Sequence, residues 1–242
     1  MQLKVDAILV SALGAIRAAK RATRTIPVVM ITTSDPVAAG LVDSLARPGG
    51  NVTGLTLLAR ELTGKRMELL KEAMPAVSRV GFLLRANAPP MGVRFKEYEA
   101  AAHPLKIQLQ SFEVQSQNPN FEAAFRDAAT AQVNAVITVR SGLFNDYRKE
   151  IADSAIKYRL PLICELSSCV EAGGVMSYAP DTNAMYHRAA VYVDKILKGV
   201  KPADLPIERP TKFELHINLR TAKQIGLMIP QWTLMKADRV IK

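Results

Sequence analysis

The residues able to do chemistry gather at junctions between apolar runs and amphipathic stretches. Ser11 and Gly14 sit in Ser11-Ala12-Leu13-Gly14, Ser34 and Asp35 in Thr33-Ser34-Asp35-Pro36, and Arg85 and Asn87 in Arg85-Ala86-Asn87-Ala88-Pro89. Backbone N–H groups at a helix start attract an anion. A carboxylate such as Asp35 meets a cation through charge-assisted hydrogen bonds. A guanidinium such as Arg85 favours a carboxylate or another anion. Further along, Ser141 offers a hydroxyl and Phe144 an aromatic wall, Glu165 follows an apolar run, and Tyr178 follows Gly173-Gly174. Each position also has a plain structural reading: a strand–helix turn at 11–14, a helix cap at Asp35, a solvated Arg85, a polar connector around Glu165.

Bond-making chemistry finds less support. No Gly-x-Ser-x-Gly elbow is present for a serine nucleophile. Neither Gly-x-Gly-x-x-Gly nor a P-loop is there for a nucleotide, so no cofactor is expected. His103, His187 and His216 are scattered, and no metal site is expected from them. Cys164 and Cys169 lie five apart. They read as two small, semi-buried thiols or, in an exported protein, as a disulfide closing a short loop with strict geometry. A two-cysteine racemase needs one thiol from each side of its substrate, which a single short segment does not supply. The net charge of +10 raises nucleic-acid binding, yet aromatics are only 6% and no recognisable motif accompanies the basic residues. Arg17, Lys20, Arg21 and Arg24 share a helix face, and the remaining basic residues are spread as solvated surface.

The elements that must position these residues alternate regularly. Apolar runs at 5–11, 26–32, 79–84, 107–114, 135–139 and 160–164 read as strands. Helical patterns fall at 14–23, 37–46, 62–74, 93–102, 121–131 and 146–158. Strand starts near 79, 107, 135 and 160 are one βαβ unit apart, which predicts parallel sheets covered on both faces. After Glu171-Ala-Gly-Gly174 come a strand at 175–178, a helix at 183–198, a Pro-rich extended stretch at 201–210, a strand at 213–218 and a helix at 219–225. One more short helix fits within 231–242. Gly-rich junctions at Pro48-Gly-Gly-Asn-Val-Thr-Gly54 and Glu171-Ala-Gly-Gly174 enclose one α/β domain's worth of chain. The expected fold is α/β, with two Rossmann-like lobes: 1–52 in lobe one, 53–172 in lobe two, and 173–242 returning to lobe one with a further crossover. Ligands of open α/β sheets bind at strand carboxyl ends, which in two facing lobes would line a shared cleft.

Longer blocks carry a resemblance. They include Ser34-Asp-Pro-Val-Ala-Ala-Gly-Leu-Val42, Leu45-Ala-Arg-Pro-Gly-Gly-Asn-Val-Thr-Gly54, Gly64-Lys-Arg-Met-Glu-Leu-Leu-Lys71 and Val170-Glu-Ala-Gly-Gly174 with Met176-Ser-Tyr178. Tyr192-Val-Asp-Lys-Ile-Leu-Lys-Gly199 and Ala203-Asp-Leu-Pro-Ile-Glu-Arg-Pro-Thr-Lys-Phe-Glu-Leu215 continue the pattern. The chain resembles the ABC-transporter substrate-binding family described as tryptophan/tyrosine transport components, with a type I periplasmic-binding-protein fold.

The resemblance implies capture of a small solute, an amino acid or related carboxylate, by Ser11, Gly14, Ser34, Asp35, Arg85, Asn87, Ser141, Phe144, Glu165 and Tyr178. It implies hinge closure around the solute and delivery to a permease with its ATPase subunits, in the periplasm or on a lipid anchor. Family members extend further at the N-terminus, so the resemblance also implies a first lobe missing its opening βα units; the N-terminus here does not read as a signal peptide. The family's Gly-Thr-Pro-like turn is replaced at 11–14, and its Asn-Pro-x-Asn-Pro-like loop is altered at 85–89. The alternatives are a ligand-sensing domain of a regulator and a bilobal, cofactor-free enzyme.

Overall fold

The computed structural model describes residues 4–57 and 61–242; residues 1–3, the head of the segment read as lacking an export signal, lie outside them. Strand β1 (Ile8–Ser11) leads to helix α1 (Leu13–Ala22), β2 (Val28–Thr32), β3 (Val52–Thr56) and α2 (Glu61–Ala73). Next come β4 (Arg79–Arg85), α3 (Pro89–Ala102), β5 (Gln108–Val114), α4 (Phe121–Thr130) and β6 (Ala135–Thr138). These are followed by α5 (Gly142–Asp146), α6 (Arg148–Lys157), β7 (Leu162–Cys164), α7 (Ser167–Glu171), β8 (Met176–Pro180) and α8 (Thr182–Leu197). The chain ends with β9 (Phe213–Asn218), α9 (Leu219–Gln224), α10 (Gln231–Met235) and β10 (Arg239–Ile241).

The chain forms two compact units, residues 1–59 with 180–213 and residues 60–179 with 214–242. These bounds differ from the sequence reading: the first two crossings fall seven residues later, at 59/60 and 179/180, and a third falls at 213/214. The reason for the third is pairing. β9 runs beside β8 in the second sheet, and the Asn218 N–H donates to the Val175 carbonyl at 2.8 Å, so 214–242 packs with the second unit.

Unit 1 holds a parallel sheet in the order β1-β2-β3. Every residue of β2 and β3 is buried. Successive side chains point to opposite faces. Val29 and Ile31 therefore pack with Met185, Ala189 and Tyr192 of α8, while Val28 and Met30 pack with Ile16 of α1 and with Leu41 and Val42. Among the described residues β1 is bonded only to β2; its burial alternates, and Leu9 stays 46% exposed.

Two features of this unit depart from the sequence reading. No helix forms at 37–46; residues 36–40 make a run of turns. Gly40 adopts φ 68°, and the Leu41 N–H reaches back to the Pro36 carbonyl at 2.8 Å. Lys20 Nζ satisfies the Gly40 and Leu41 carbonyls at 2.8 and 2.9 Å, so no helix is needed to pair them. Conversely, the Gly-rich stretch read as a junction contains β3. Gly54 sits at φ 134°, and a Cβ there would meet the Met30 carbonyl oxygen at 2.1 Å. Glycine thus permits the strand rather than breaking it.

Unit 2 holds a seven-stranded sheet, β10-β9-β8-β7-β6-β4-β5, with parallel registers such as Phe82↔Ile137 and Cys164↔Ser177. One continuous core covers it, built around Phe82, Tyr98, Phe121 and Phe125. The helix expected at 146–158 is α6; the short α5 before it, meeting it at Tyr147, was not anticipated. β10 was not anticipated; the Asp238 carboxylate, accepting from the Leu215 N–H at 2.8 Å, leads it alongside β9.

Candidate functional site

The order of the second sheet sets β8, β7, β6 and β4 side by side. Arg85 closes β4, Arg140 and Ser141 follow β6, Glu165 follows β7, and Tyr178 lies within β8. The topology thus gathers residues far apart in sequence on neighbouring strands, most of them at the carboxyl ends.

Glu165 is the centre of this arrangement. Its side chain is 5% exposed. Oε1 accepts from Arg66 Nη1 at 3.1 Å, from the Tyr98 hydroxyl at 2.8 Å and from Arg94 Nη2. Oε2 accepts from the Arg140 backbone N–H at 2.9 Å. Arg66, equally buried, also donates from Nε to the Tyr178 carbonyl at 2.8 Å. Arg94 and Tyr98 stand four apart on α3, so they share a face. Arg94 is further bonded to Glu97 at 2.6 Å, and its guanidinium lies 5.4 Å from the centre of the Tyr98 ring.

Burial alone would push the Glu165 carboxyl up. Arg66 and Arg94, the Arg140 N–H and the Tyr98 hydroxyl outweigh it and hold the group below the usual carboxylate range. Burial, reinforced by the Glu165 carboxylate, pushes the Tyr98 hydroxyl up, so it stays a proton donor. A buried carboxylate with four donors is saturated. Its chemistry is to fix Arg94, Tyr98 and the Arg140 backbone in place.

Beside it lies a small concavity lined by Arg140, Ser141, Phe144, Glu165, Leu166 and Ser168, among others. Its internal volume is about 20 Å³, room for a water molecule. Ser141 caps α5, its Oγ accepting from the Phe144 N–H at 3.1 Å. Phe144 is 4% exposed and stands edge-on to Phe121, so most of its ring belongs to the core. Cys164 and Cys169 are joined by a disulfide.

The structure therefore brings Ser141, Phe144 and Glu165 to one concavity and ties Tyr178 to them through Arg66. Arg85, half-buried, ends the adjacent strand, and Asn87, exposed with φ 55°, lies in the turn after it; neither lines the concavity. In unit 1, exposed Ser11 ends β1 and exposed Gly14 lies in the first turn of α1. Ala12 between them has φ 141°, a strained conformation for a residue with a Cβ. Asp35 follows the neighbouring β2, and its Oδ1 accepts from the Val37 and Ala38 N–H groups at 2.9 and 3.1 Å. The Ser34 carbonyl accepts from Thr56 Oγ1 at 3.0 Å.

Sequence reasoning missed Arg66, Arg94, Tyr98 and Arg140. The one available signal was the Arg94–Tyr98 spacing on a helix; nothing local announces that Arg66 is buried. Among the described residues, no group of three or more His, Cys, Asp or Glu could hold a metal ion. No described helix is long and apolar enough to cross a membrane.

Two parallel α/β units with polar residues collected at strand carboxyl ends define a binding protein of the type I periplasmic-binding-protein fold. The chain belongs to the ABC transporter substrate binding protein family, whose model matches residues 2–241. That family is one of substrate-binding proteins.

A tyrosine-binding protein of Clostridioides difficile is 25% identical over 236 residues, covering 93% of this chain. The chain spans 64% of that relative's length. A structure of an ABC domain in complex with L-Trp from Streptococcus pneumonia is 26% identical, with a TM-score of 0.86 over 98% of this chain and 79% of the other. A conserved domain protein from Vibrio cholerae is 27% identical, with a TM-score of 0.86 over 97% of this chain and 78% of the other.

Proposed function

We propose that this chain captures an α-amino acid, or a carboxylate closely related to one, and hands it to a membrane permease powered by ATPase subunits. It works on the outer side of the cytoplasmic membrane, in the periplasm or held by a lipid anchor. The observation that carries this reading is the Glu165 network. A saturated buried carboxylate holds the Arg140–Ser141 loop rigid at the carboxyl end of the sheet, where a solute of this fold is received. Arg85, one strand away, supplies a cation for the solute's carboxylate. Ser11 and Gly14 at β1, Ser34 and Asp35 at β2, and Asn87 and Tyr178 in unit 2 supply further polar contacts. The tyrosine-binding and tryptophan-bound relatives favour an aromatic amino acid.

Isothermal titration of the purified protein with L-tryptophan, L-tyrosine and the other common α-amino acids tests this. Saturable heat is expected from at least one. Arg85→Ala is expected to weaken that binding about tenfold, equivalent to about 1.4 kcal/mol. Absence of heat with every amino acid would overturn the reading. Calorimetry also avoids interference from the protein's own tryptophan, Trp232.

A further inference from the structure

The disulfide sits across the loop that carries Glu165. Cys164 ends β7 and is paired in register with Thr138 on one side and Ser177 on the other, so this end of the loop is anchored in the sheet. The other end lies outside the strands and is tied to the sheet by one side chain, Asn218 Nδ2 at the end of β9 donating to the Val170 carbonyl at 3.0 Å. Cys169 lies in α7, a single turn of five residues whose N-cap, Leu166, makes no side-chain cap hydrogen bond. Such a turn is unstable by itself, because nucleation is costly and propagation never offsets it. The Cys164–Cys169 bond closes the segment into a ring, with Cα atoms 6.2 Å apart, and Glu165 is the first residue inside it.

The surroundings are shaped to the bond. Both cysteines are buried, at 2% and 7% exposure. A Cβ on Gly174 would stand 3.0 Å from Cys164 Sγ and 3.2 Å from Cys169 Sγ, so the turn after α7 closes directly onto the disulfide. The Gly174 N–H donates to the Cys169 carbonyl at 2.8 Å. The same two cysteines, with Glu165, Leu166 and Ser168, help line the concavity.

We infer that the Cys164–Cys169 disulfide is a positioning clasp: it fixes the 165–169 loop so that the Glu165 carboxylate stays on Arg66, Arg94 and the Arg140 amide, and opening it weakens solute binding. The binding half of this inference rests on the proposed function; the positional half does not.

The oxidised protein is compared with the protein held in dithiothreitol and with the Cys164→Ala/Cys169→Ala variant. Two readouts are taken from each: amide-resolved hydrogen exchange, and calorimetric titration with L-tryptophan and L-tyrosine. Opening the bond is expected to speed exchange about tenfold at the Arg140 amide and across 166–171, leaving β4 and α2 protected. Affinity for the bound amino acid is expected to fall about tenfold. A bond that served global stability alone would instead speed exchange throughout unit 2. That result, unchanged exchange at Arg140, or two free thiols in the oxidised protein would each overturn the clasp. Equal affinity in the closed and open forms would overturn its role in binding. If the oxidised protein binds neither amino acid, the amino-acid reading falls, while exchange at Arg140 still decides the clasp.

Discussion

The two units solve the same local problem in different ways. Each must fix polar residues in loops that follow buried parallel strands. In unit 1 Asp35, in the loop after β2, is paired locally, accepting from residues two and three positions ahead, while Lys20 and Thr56 add exposed or partly buried bonds to the loop's carbonyls. In unit 2 the loops after β6 and β7 are held by side chains from other elements, with Arg66 lying 99 positions and Arg94 71 positions from Glu165. The difference is one of cost and rigidity. A local cap is inexpensive and forgiving, because water can replace it. A buried ion cluster is expensive to assemble, and every member depends on the others.

The largest expected effect therefore lies in unit 2. Glu165→Ala removes the one acceptor shared by Arg66, Arg94 and Tyr98, and leaves the 4%-exposed Arg66 without its carboxylate. Breaking a buried pair in this way costs about 3–5 kcal/mol. Urea unfolding of the variant should show a correspondingly lower midpoint with an unchanged slope. A loss below about 1 kcal/mol would mean that water reaches the cluster and that the contrast between the units is false.

The pH dependence sharpens the same point. The unfolded chain's Glu165 titrates near an ordinary value of about 4.3, and the folded group lies below it. The folded state therefore binds fewer protons in that interval, and stability falls as pH falls. The contribution is fully present above about pH 4.3 and disappears as pH drops through the lower folded value. Subtracting the acid unfolding profile of Glu165→Gln from that of the parent isolates this group from other carboxylates. The difference should be flat from pH 7 to pH 5 and shrink below about pH 4.

These contrasts also explain what was legible in the sequence. The alternation of apolar runs and helices gave the parallel α/β order, because burial on both faces leaves a local imprint. Asp35 was visible because its partners are its neighbours, although it closes a turn and not the expected helix. The helix at 37–46 failed where Lys20, a distant residue, took over its carbonyls. β3 was hidden because Gly54 answers to the backbone of β2 rather than to its own neighbours. Glu165 was named from its place after a strand, but Arg66, Arg94 and Tyr98 were not. Their meeting is set by strand order, which no short window contains.

A smaller effect is expected at the charge pair of unit 1. Arg188 on α8 grips Glu208 through Nε at 2.7 Å and Nη2 at 2.5 Å. The side chains are 43% and 34% exposed, so water screens the pair. Arg188→Ala is expected to cost no more than about 1 kcal/mol in urea unfolding, although the bond geometry is bidentate. A cost near that of Glu165→Ala would show that distant partners hold both units alike.

The smallest effect on stability is the one that separates capping from binding. Asparagine caps a helix or turn about as well as aspartate, whereas alanine in that position costs about 1 kcal/mol. Asp35→Asn should therefore unfold within a few tenths of a kcal/mol of the parent, while Asp35→Ala loses about 1 kcal/mol. Solute binding divides the readings further. If Asp35 only holds its own loop, Asp35→Asn keeps the parent's amino-acid affinity. If its carboxylate also meets the solute's ammonium group, Asp35→Asn loses about 1.5–3 kcal/mol of affinity, the worth of a hydrogen bond to a charged group, with its stability intact. Among the described residues both bonds from the loop fall on Oδ1, so a ligand meeting Oδ2 would leave the turn undisturbed.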